Sequence, residues 1–155
     1  MKKDSTRDKK SPKIGIVGSR SWPNREYVEN YTAFLIKMTD FVLVSGGCKN
    51  SPDKYAEIAF KMFSDQKPMI FPAKWRENGV FNKAAGFERN TTIANESDYL
   101  ICFYDPSSKS SGCLDTVKKM NSEKFWMVIT PDYQYAINPD WKGEDPVVER
   151  ILSYL

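Results

Sequence analysis

The chain has 155 residues, of which 41% are hydrophobic and 28% are charged, values ordinary for a soluble globular protein with one core. It contains no histidine, which excludes Ser-His-Asp and Cys-His catalytic sites, and its three scattered cysteines argue against a disulfide framework. Residues 1–13 carry six basic and two acidic side chains, whereas the rest of the chain carries 17 basic and 18 acidic ones. The basic excess therefore lies in an N-terminal segment.

This distribution of charge and hydropathy predicts the organisation of the chain. We expect a flexible basic tail, residues 1–12, followed by one domain, residues 13–155. The body is near neutral, so nucleic-acid binding by it is not expected. No apolar run approaches the roughly 20 residues of a membrane helix, and no secretory signal follows the charged N-terminus. We therefore expect a cytoplasmic protein without membrane contact.

The first half of the body alternates apolar runs with helical patterns. Residues 13–18 predict a buried strand, and Pro23 is placed to open a helix with one apolar face. Residues 41–44 predict a second strand. A second helix follows, with Ser51 as its candidate N-cap and Pro52 in its first turn.

The second half continues the alternation. The sequence predicts a third strand over residues 68–72, a long loop over 73–87, helical character from 87 to 96, and a fourth strand over 98–104. After a polar loop, it predicts a helix over 113–120, a fifth strand over 125–129, another loop, and a last helix over 146–155.

Continuous apolar strands alternating with helices indicate a parallel sheet covered on both faces. The predicted fold is therefore α/β, a Rossmann-like three-layer sandwich with a mainly parallel sheet of about five strands. Three polar or glycine-rich breaks follow strands one, two and four, at residues 18–20, 45–48 and 105–112. Because ligands bind at the carboxyl ends of parallel strands, we expect these breaks to form one cleft.

Several residues at these breaks have both a structural and a functional interpretation. The pair Gly46-Gly47 could be a tight turn, or could expose amides to a phosphate. Arg89 could bind an anion or pair with a neighbouring glutamate. Asp53 and Asp115 could stabilise helix starts, bind ribose or act as bases. Cys113 could be a packed side chain or a thiol with a lowered pKa.

Aromatic residues leave similar alternatives. Trp22 and Trp75 could stack on a purine or pack over the core. The aromatics Tyr133, Tyr135 and Trp141 could form a dimer surface or only cover the sheet, and a homo-oligomer is one of the predicted partners.

Ordered motifs over about residues 13–130 resemble the YspA-related branch of the SLOG superfamily, the Rossmann-like domains that include Lonely Guy phosphoribohydrolases and DNA-processing protein A. Five segments carry the resemblance: Gly18-Ser19-Arg20 with Trp22, Gly46-Gly47 with Asp53, Pro72-Ala73-Lys74-Trp75, Ala85-Gly86-Phe87-Glu88-Arg89-Asn90, and Gly112-Cys113-Leu114-Asp115. The resemblance implies a pocket for a nucleotide or a nucleotide-derived ligand.

The chain departs from the phosphoribohydrolase branch at one position that bears on chemistry. That branch has Pro-Gly-Gly-x-Gly-Thr-x-x-Glu, and alignment on Gly112 puts Cys113 at the threonine and Thr116 at the glutamate. Asp115 lies one residue before that position. We therefore predict a sensor or a sequestering protein for a nucleotide-derived signalling molecule or second messenger. The alternative is an N-glycosidase or phosphoribohydrolase acting on a nucleoside monophosphate or a related nucleotide. A third hypothesis is binding of single-stranded nucleic acid with the basic tail as an anchor.

The predicted site combines the residues of the strand-end loops. Asp115 is the candidate catalytic residue, and no metal site or cofactor is predicted. The predicted ligand-binding residues are Gly18, Ser19, Arg20, Trp22, Ser45, Gly46, Gly47, Cys48, Asp53, Trp75, Arg89, Asn90, Ser110, Ser111, Gly112 and Cys113.

Overall fold

The computed structural model describes residues 11–155 of the protein. Its strands in this range are β1 (Lys13–Gly18), β2 (Val42–Ser45), β3 (Met69–Ile70), β4 (Arg76–Glu77), β5 (Val80–Phe81), β6 (Tyr99–Phe103), β7 (Phe125–Ile129) and β8 (Tyr135–Ile137). Its helices are α1 (Arg25–Met38), α2 (Pro52–Phe63), α3 (Ala85–Glu96), α4 (Gly112–Lys119) and α5 (Pro146–Leu152).

Six strands form one sheet in the order β3-β2-β1-β6-β7-β8. The first five are mutually parallel, and β8 pairs with β7 in the antiparallel direction. In the centre of the sheet, Gly15 lies opposite Val44 on one side and Leu100 on the other. The predicted Rossmann-like α/β architecture is confirmed, with one more strand than expected.

Each face of the sheet has its own apolar layer. One layer contains Ile14 and Ile16 of β1 together with side chains of α1, α2 and α5. The other contains Val17 of β1 together with side chains of α3 and α4. Successive strand residues point to opposite faces, so this alternation along β1 fixes which helices cover which face.

The predicted loop over residues 73–87 contains a short antiparallel hairpin of β4 and β5. Its two turn residues, Asn78 and Gly79, have φ angles of 52° and 79°. These values fit a type I′ turn, and Asn-Gly is the strongest sequence signal for such a hairpin. The signal was therefore present in the sequence although the strands are too short to show a period.

Other boundaries also differ from the sequence-based expectation. Helix α1 begins at Arg25, because the Asn24 side chain accepts a hydrogen bond from the Tyr27 amide at 3.0 Å and caps the helix. The Ser51 side chain does not cap α2 and instead donates to the Cys48 carbonyl at 2.7 Å. The last predicted loop contains β8.

The end of β1 packs too closely against α2 to accept a side chain. A Cβ added to Gly18 would lie 2.4 Å from Pro52 Cγ and 2.6 Å from the Phe103 carbonyl oxygen. We expect Gly18→Ala to lower the free energy of unfolding by about 2 kcal/mol, measured by urea denaturation. The control is Gly112→Ala, since its nearest neighbour, Ser110 Oγ, would be at an ordinary 3.6 Å. Equal stability of the two variants would contradict this account.

Some predictions on organisation are not decided by the fold. Residues 1–10 of the predicted basic tail lie outside the described residues, and the assignment of residues 13–155 to one nucleotide-binding domain stays a prediction. In residues 11–155 no helix is long and apolar enough to cross a membrane. Tyr133 and Tyr135 are about half exposed, and the predicted homo-oligomer stays a prediction.

Candidate functional site

A cavity of about 420 Å³ opens beside the carboxyl ends of β1 and β6. These two strands are neighbours, but β1 leads into α1 on one face and β6 leads into α4 on the other. The connections diverge there, and such a switch point in the strand order is where open α/β sheets form a crevice. The expected convergence of the strand-end loops is therefore present in the fold.

The structure brings most of the predicted site residues to this cavity. Those that line it are Gly18, Ser19, Arg20, Cys48, Asp53, Trp75, Arg89, Asn90, Ser110, Gly112 and Cys113. The cavity lining does not include Trp22, Ser45, Gly46, Gly47, Ser111 or Asp115.

Asp53 connects the first two strand-end loops. Its Oδ1 accepts a hydrogen bond from the Gly18 amide at 3.2 Å and lies 3.2 Å from Ser51 Oγ, and its Oδ2 accepts one from the Gly46 amide at 3.0 Å. Burial raises the pKa of Asp53 to about 6, and the nearby Arg89 guanidinium opposes this shift. The carboxylate thus orients the loops as well as lining the cavity.

The two glycines after β2 have different structural roles. A Cβ on Gly46 would lie 2.8 Å from both Arg89 Nη1 and Asp53 Oδ2, so this position requires glycine for close packing of charged groups. Gly47 has a φ of 71°, which glycine adopts without strain. Neither glycine lines the cavity, but both determine the conformation of the loop after β2.

Helix α3 contributes one face to the cavity. Arg89 Nη1 donates to the Gly46 carbonyl at 2.8 Å, and Arg89 Nε donates to Asn90 Oδ1 at 2.9 Å. The Asn90 Nδ2 in turn donates to the Gly112 carbonyl at 3.1 Å. This chain of contacts links β2, α3 and α4 around the cavity and fixes the orientation of the guanidinium.

Two of the predicted ligand-binding residues have buried side chains that pack inside the protein. The Trp22 side chain is buried, its ring lies 5.2 Å from that of Phe103, and its Nε1 donates to the Asn24 carbonyl at 2.9 Å. Ser45 is fully buried and donates through Oγ to Glu57. These side chains support the loops and do not face the cavity.

The candidate catalytic carboxylate is also engaged elsewhere. Asp115 Oδ2 lies 2.9 Å from Lys119 Nζ and accepts a hydrogen bond from Asn90 Nδ2 at 3.1 Å. The next residue, Thr116, does line the cavity. At the position of the phosphoribohydrolase glutamate, α4 therefore has the neutral side chain of Thr116.

Cys113 and Cys48 lie at the cavity in different environments. Hydrogen bonding from Cys102, together with that from Ser19, lowers the pKa of the Cys113 thiol despite its burial. Burial raises the pKa of the Cys48 thiol. Ser19 also links the loops after β1 and β6, because its Oγ accepts a hydrogen bond from the Asp105 amide at 3.0 Å.

Sequence reasoning missed several residues of the cavity wall. Those not in the predicted site are Val17, Lys83, Gly86, Phe87, Ile93, Ser108 and Thr116. Gly86 lies three residues before Arg89 and Ile93 four residues after it, so the face of α3 that carries Arg89 could have identified both. Lys83 and Phe87 add a positive charge and an exposed aromatic ring at the opening. Arg20, Lys83 and Arg89 give the cavity three cationic side chains.

Comparison with known proteins supports the fold. No protein-family model matches the chain, and no curated protein sequence matches it. A solved structure of DNA processing protein A from Helicobacter pylori is similar, with a TM-score of 0.58 and 17% sequence identity, covering 97% of this chain and 76% of that one. That protein binds single-stranded DNA. At this identity the similarity establishes a shared α/β fold.

Proposed function

We propose that the protein binds a nucleotide or a nucleotide-derived signalling molecule in this cavity, as a sensor or a sequestering protein. The three cations Arg20, Lys83 and Arg89 supply charge for phosphate groups. Trp75 and Phe87 line the same cavity and are about half exposed, so their rings are available to stack on a base. Charge and aromatic surface on one cavity match the two ends of a nucleotide.

Binding without hydrolysis is favoured by the partners of the two carboxylates at or near the cavity, Asp53 and Asp115. In the part of the chain that the structure describes, Asp53 is the sole carboxylate of the cavity wall, and the Gly18 and Gly46 amides donate to its two oxygens. Asp115 is held by Lys119. Hydrolysis of an N-glycosidic bond needs a carboxylate that faces an oxocarbenium-like centre, and these two carboxylates are directed to other partners.

We also infer that the chain is a divergent member of the SLOG superfamily. Support comes from the α/β fold shared with DNA processing protein A, and from residues of its glycine-containing motifs, Gly18 and Gly112 among them, that lie at the cavity. The departures at Cys113 and Thr116 place it away from the phosphoribohydrolase pattern.

The proposal is tested by identifying what the purified protein holds. Small molecules released by denaturing the protein are analysed by mass spectrometry, and a nucleotide panel is then titrated by calorimetry. We expect at least one nucleotide to bind in the micromolar range or tighter and to remain intact on prolonged incubation. Release of free base at enzymatic rates would establish the N-glycosidase alternative instead, and a panel without binding would refute the proposal.

Removing the exposed indole at the cavity is expected to weaken nucleotide binding about tenfold, because base stacking on an aromatic contributes roughly 1–3 kcal/mol. The change is Trp75→Ala, and calorimetry with the bound nucleotide measures it. Trp75→Phe retains a ring and should recover most of the affinity. Tyr135→Ala, at an exposed aromatic on β8, is the matched control. Equal weakening of ribose 5-phosphate, which has no base, would contradict stacking.

Single-stranded nucleic acid is a second candidate ligand, favoured by the surface next to the cavity. The exposed rings of Phe81 and Phe87 each lie close to a cation, at 5.7 Å from Arg76 and 5.4 Å from Lys119. Aromatic rings beside cations are typical of sites that stack unpaired bases. This candidate predicts affinity that falls steeply with salt and weakens on deletion of residues 1–12, whereas a mononucleotide site predicts neither.

A further inference from the structure

One buried hydroxyl at the cavity has no hydrogen-bond partner among residues 11–155. Among residues 11–155, the buried side-chain oxygens without a partner are Ser97 Oγ and Thr116 Oγ1. Ser97 packs against Gly15 of the central strand, away from the cavity. Thr116 is 1% exposed and lines the cavity. A buried polar group without a partner is rare and requires an explanation.

The other helical threonines show what Thr116 would do in an ordinary helix. Thr32, Thr91 and Thr92 each donate to the carbonyl four residues earlier, at 2.8, 3.1 and 3.2 Å. For Thr116 that carbonyl belongs to Gly112, and it already accepts Asn90 Nδ2 at 3.1 Å in addition to the helical amide. The hydroxyl therefore has no acceptor among the residues that the structure describes.

The surroundings of Thr116 favour an uncharged ligand group. Cys113 lies one helical turn before Thr116 on α4, and the cavity wall also contains the apolar side chains of Val17 and Ile93. The Asp53 carboxylate is near enough for its charge to oppose ionisation of Cys113, so the wall around this thiol does not favour an anion. Arg20 and Lys83, by contrast, are exposed and therefore lie at the opening, and the Arg89 guanidinium is directed towards the Gly46 carbonyl in the loop after β2.

We propose that Thr116 Oγ1 hydrogen-bonds a sugar hydroxyl of the ligand, so that the site takes ribonucleotides in preference to deoxyribonucleotides. This rests on the proposed function, since the phosphate is assigned to the cations and the base to Trp75 and Phe87. The sugar joins those two groups in any nucleotide. A sugar hydroxyl both donates and accepts, and so matches the two capacities of a threonine hydroxyl.

The test compares Thr116→Val, which keeps the shape but removes the hydroxyl, with Thr116→Ser, which keeps the hydroxyl. Each protein is titrated by calorimetry with ribonucleoside 5′-monophosphates and with their 2′-deoxy and 3′-deoxy counterparts. In the wild type and in Thr116→Ser, we expect one deoxy form to bind about tenfold more weakly than the ribonucleotide. In Thr116→Val the ribonucleotide should weaken to the level of that deoxy form, whose own affinity stays unchanged.

Thermal unfolding of the unliganded protein gives an independent readout. An unpartnered buried hydroxyl destabilises the free protein, so Thr116→Val should melt about 2–4 °C higher than the wild type. A lower melting temperature would show an internal partner for the hydroxyl and overturn the inference. The inference alone also fails if nucleotides bind but discrimination is the same in Thr116→Val. If no nucleotide binds to the wild type, the proposed function fails and the inference with it.

Discussion

Replacing Arg89 by alanine is expected to weaken nucleotide binding about 100-fold. Hydrogen bonds to charged groups contribute roughly 1.5–3 kcal/mol each, and their loss in a partly buried site has an effect at the upper end of that range. The guanidinium is fixed in place by the Gly46 carbonyl and the Asn90 side chain. It can therefore bind a phosphate without first losing side-chain freedom.

Two variants separate the geometry of Arg89 from its charge. Arg89→Lys retains the charge without the planar fork and should lose about tenfold in affinity. Arg25→Ala removes a positive charge from the surface of α1, where Arg25 pairs with Glu29 at 2.8 Å, and should change affinity less than twofold. Circular dichroism and thermal unfolding establish that each variant is folded before calorimetry.

The outcomes distinguish a direct contact between Arg89 and the nucleotide from attraction by the overall charge of the protein. If Arg25→Ala weakened binding as much as Arg89→Ala, the attraction would come from the net charge of the protein rather than from the cavity. If folded Arg89→Ala bound with wild-type affinity, Arg89 would be excluded from the binding site.

The position of the site was predictable because it depends on topology. Apolar strands alternating with helices predict a parallel sheet, and the polar breaks after strands one and four must then meet at one edge. Gly18, Arg20 and Gly112 were expected at this edge and line the cavity. Arg89 was suggested by the motif resemblance, because the spacing of residues along a helix does not show which of them binds an anion.

Side-chain direction is what the sequence could not supply. Trp22 lies in the loop after β1 and Ser45 is the last residue of β2, yet the Trp22 ring packs on Phe103 and the Ser45 hydroxyl bonds to Glu57. Which face a loop residue presents depends on backbone dihedrals that the neighbouring residues do not encode locally. The same holds for Asp115 and Thr116, since only the packing of α4 on α3 decides which of them faces the cavity.

Burial of Asp53 also makes the stability of the protein depend on pH in an unusual direction. The pKa of Asp53 is raised from 3.8 to about 6 by burial. Between about pH 4 and pH 6 the unfolded chain has therefore lost this proton while the native protein retains it. The native state binds more protons there, so the free energy of unfolding falls as the pH rises. A shift of about two pKa units corresponds to roughly 3 kcal/mol.

Asp53→Asn is expected to remove this falling segment of the stability profile. The asparagine places an amide donor against the Gly18 or Gly46 amide, so the variant should be less stable than the wild type at pH 4. Because the variant has no proton to lose, the difference should shrink by roughly 3 kcal/mol on going to pH 7.5. Urea unfolding at half-unit pH steps measures both profiles. Asp65→Asn, at an exposed position after α2, is the matched control and should follow the wild type.

A constant difference between the Asp53→Asn and wild-type profiles would show that Asp53 is ionised throughout, stabilised by the Gly18 and Gly46 amides and by Arg89. The double variant Arg89→Ala, Asp53→Asn separates these contributions. The Arg89 guanidinium lowers the pKa of Asp53, so the falling segment should extend to higher pH in Arg89→Ala and be absent from the double variant.

A phosphate bound to Arg89 would partly neutralise the guanidinium and so raise the pKa of Asp53. Nucleotide binding near pH 6 should therefore be accompanied by proton uptake in the wild type, and by none at this site in Asp53→Asn.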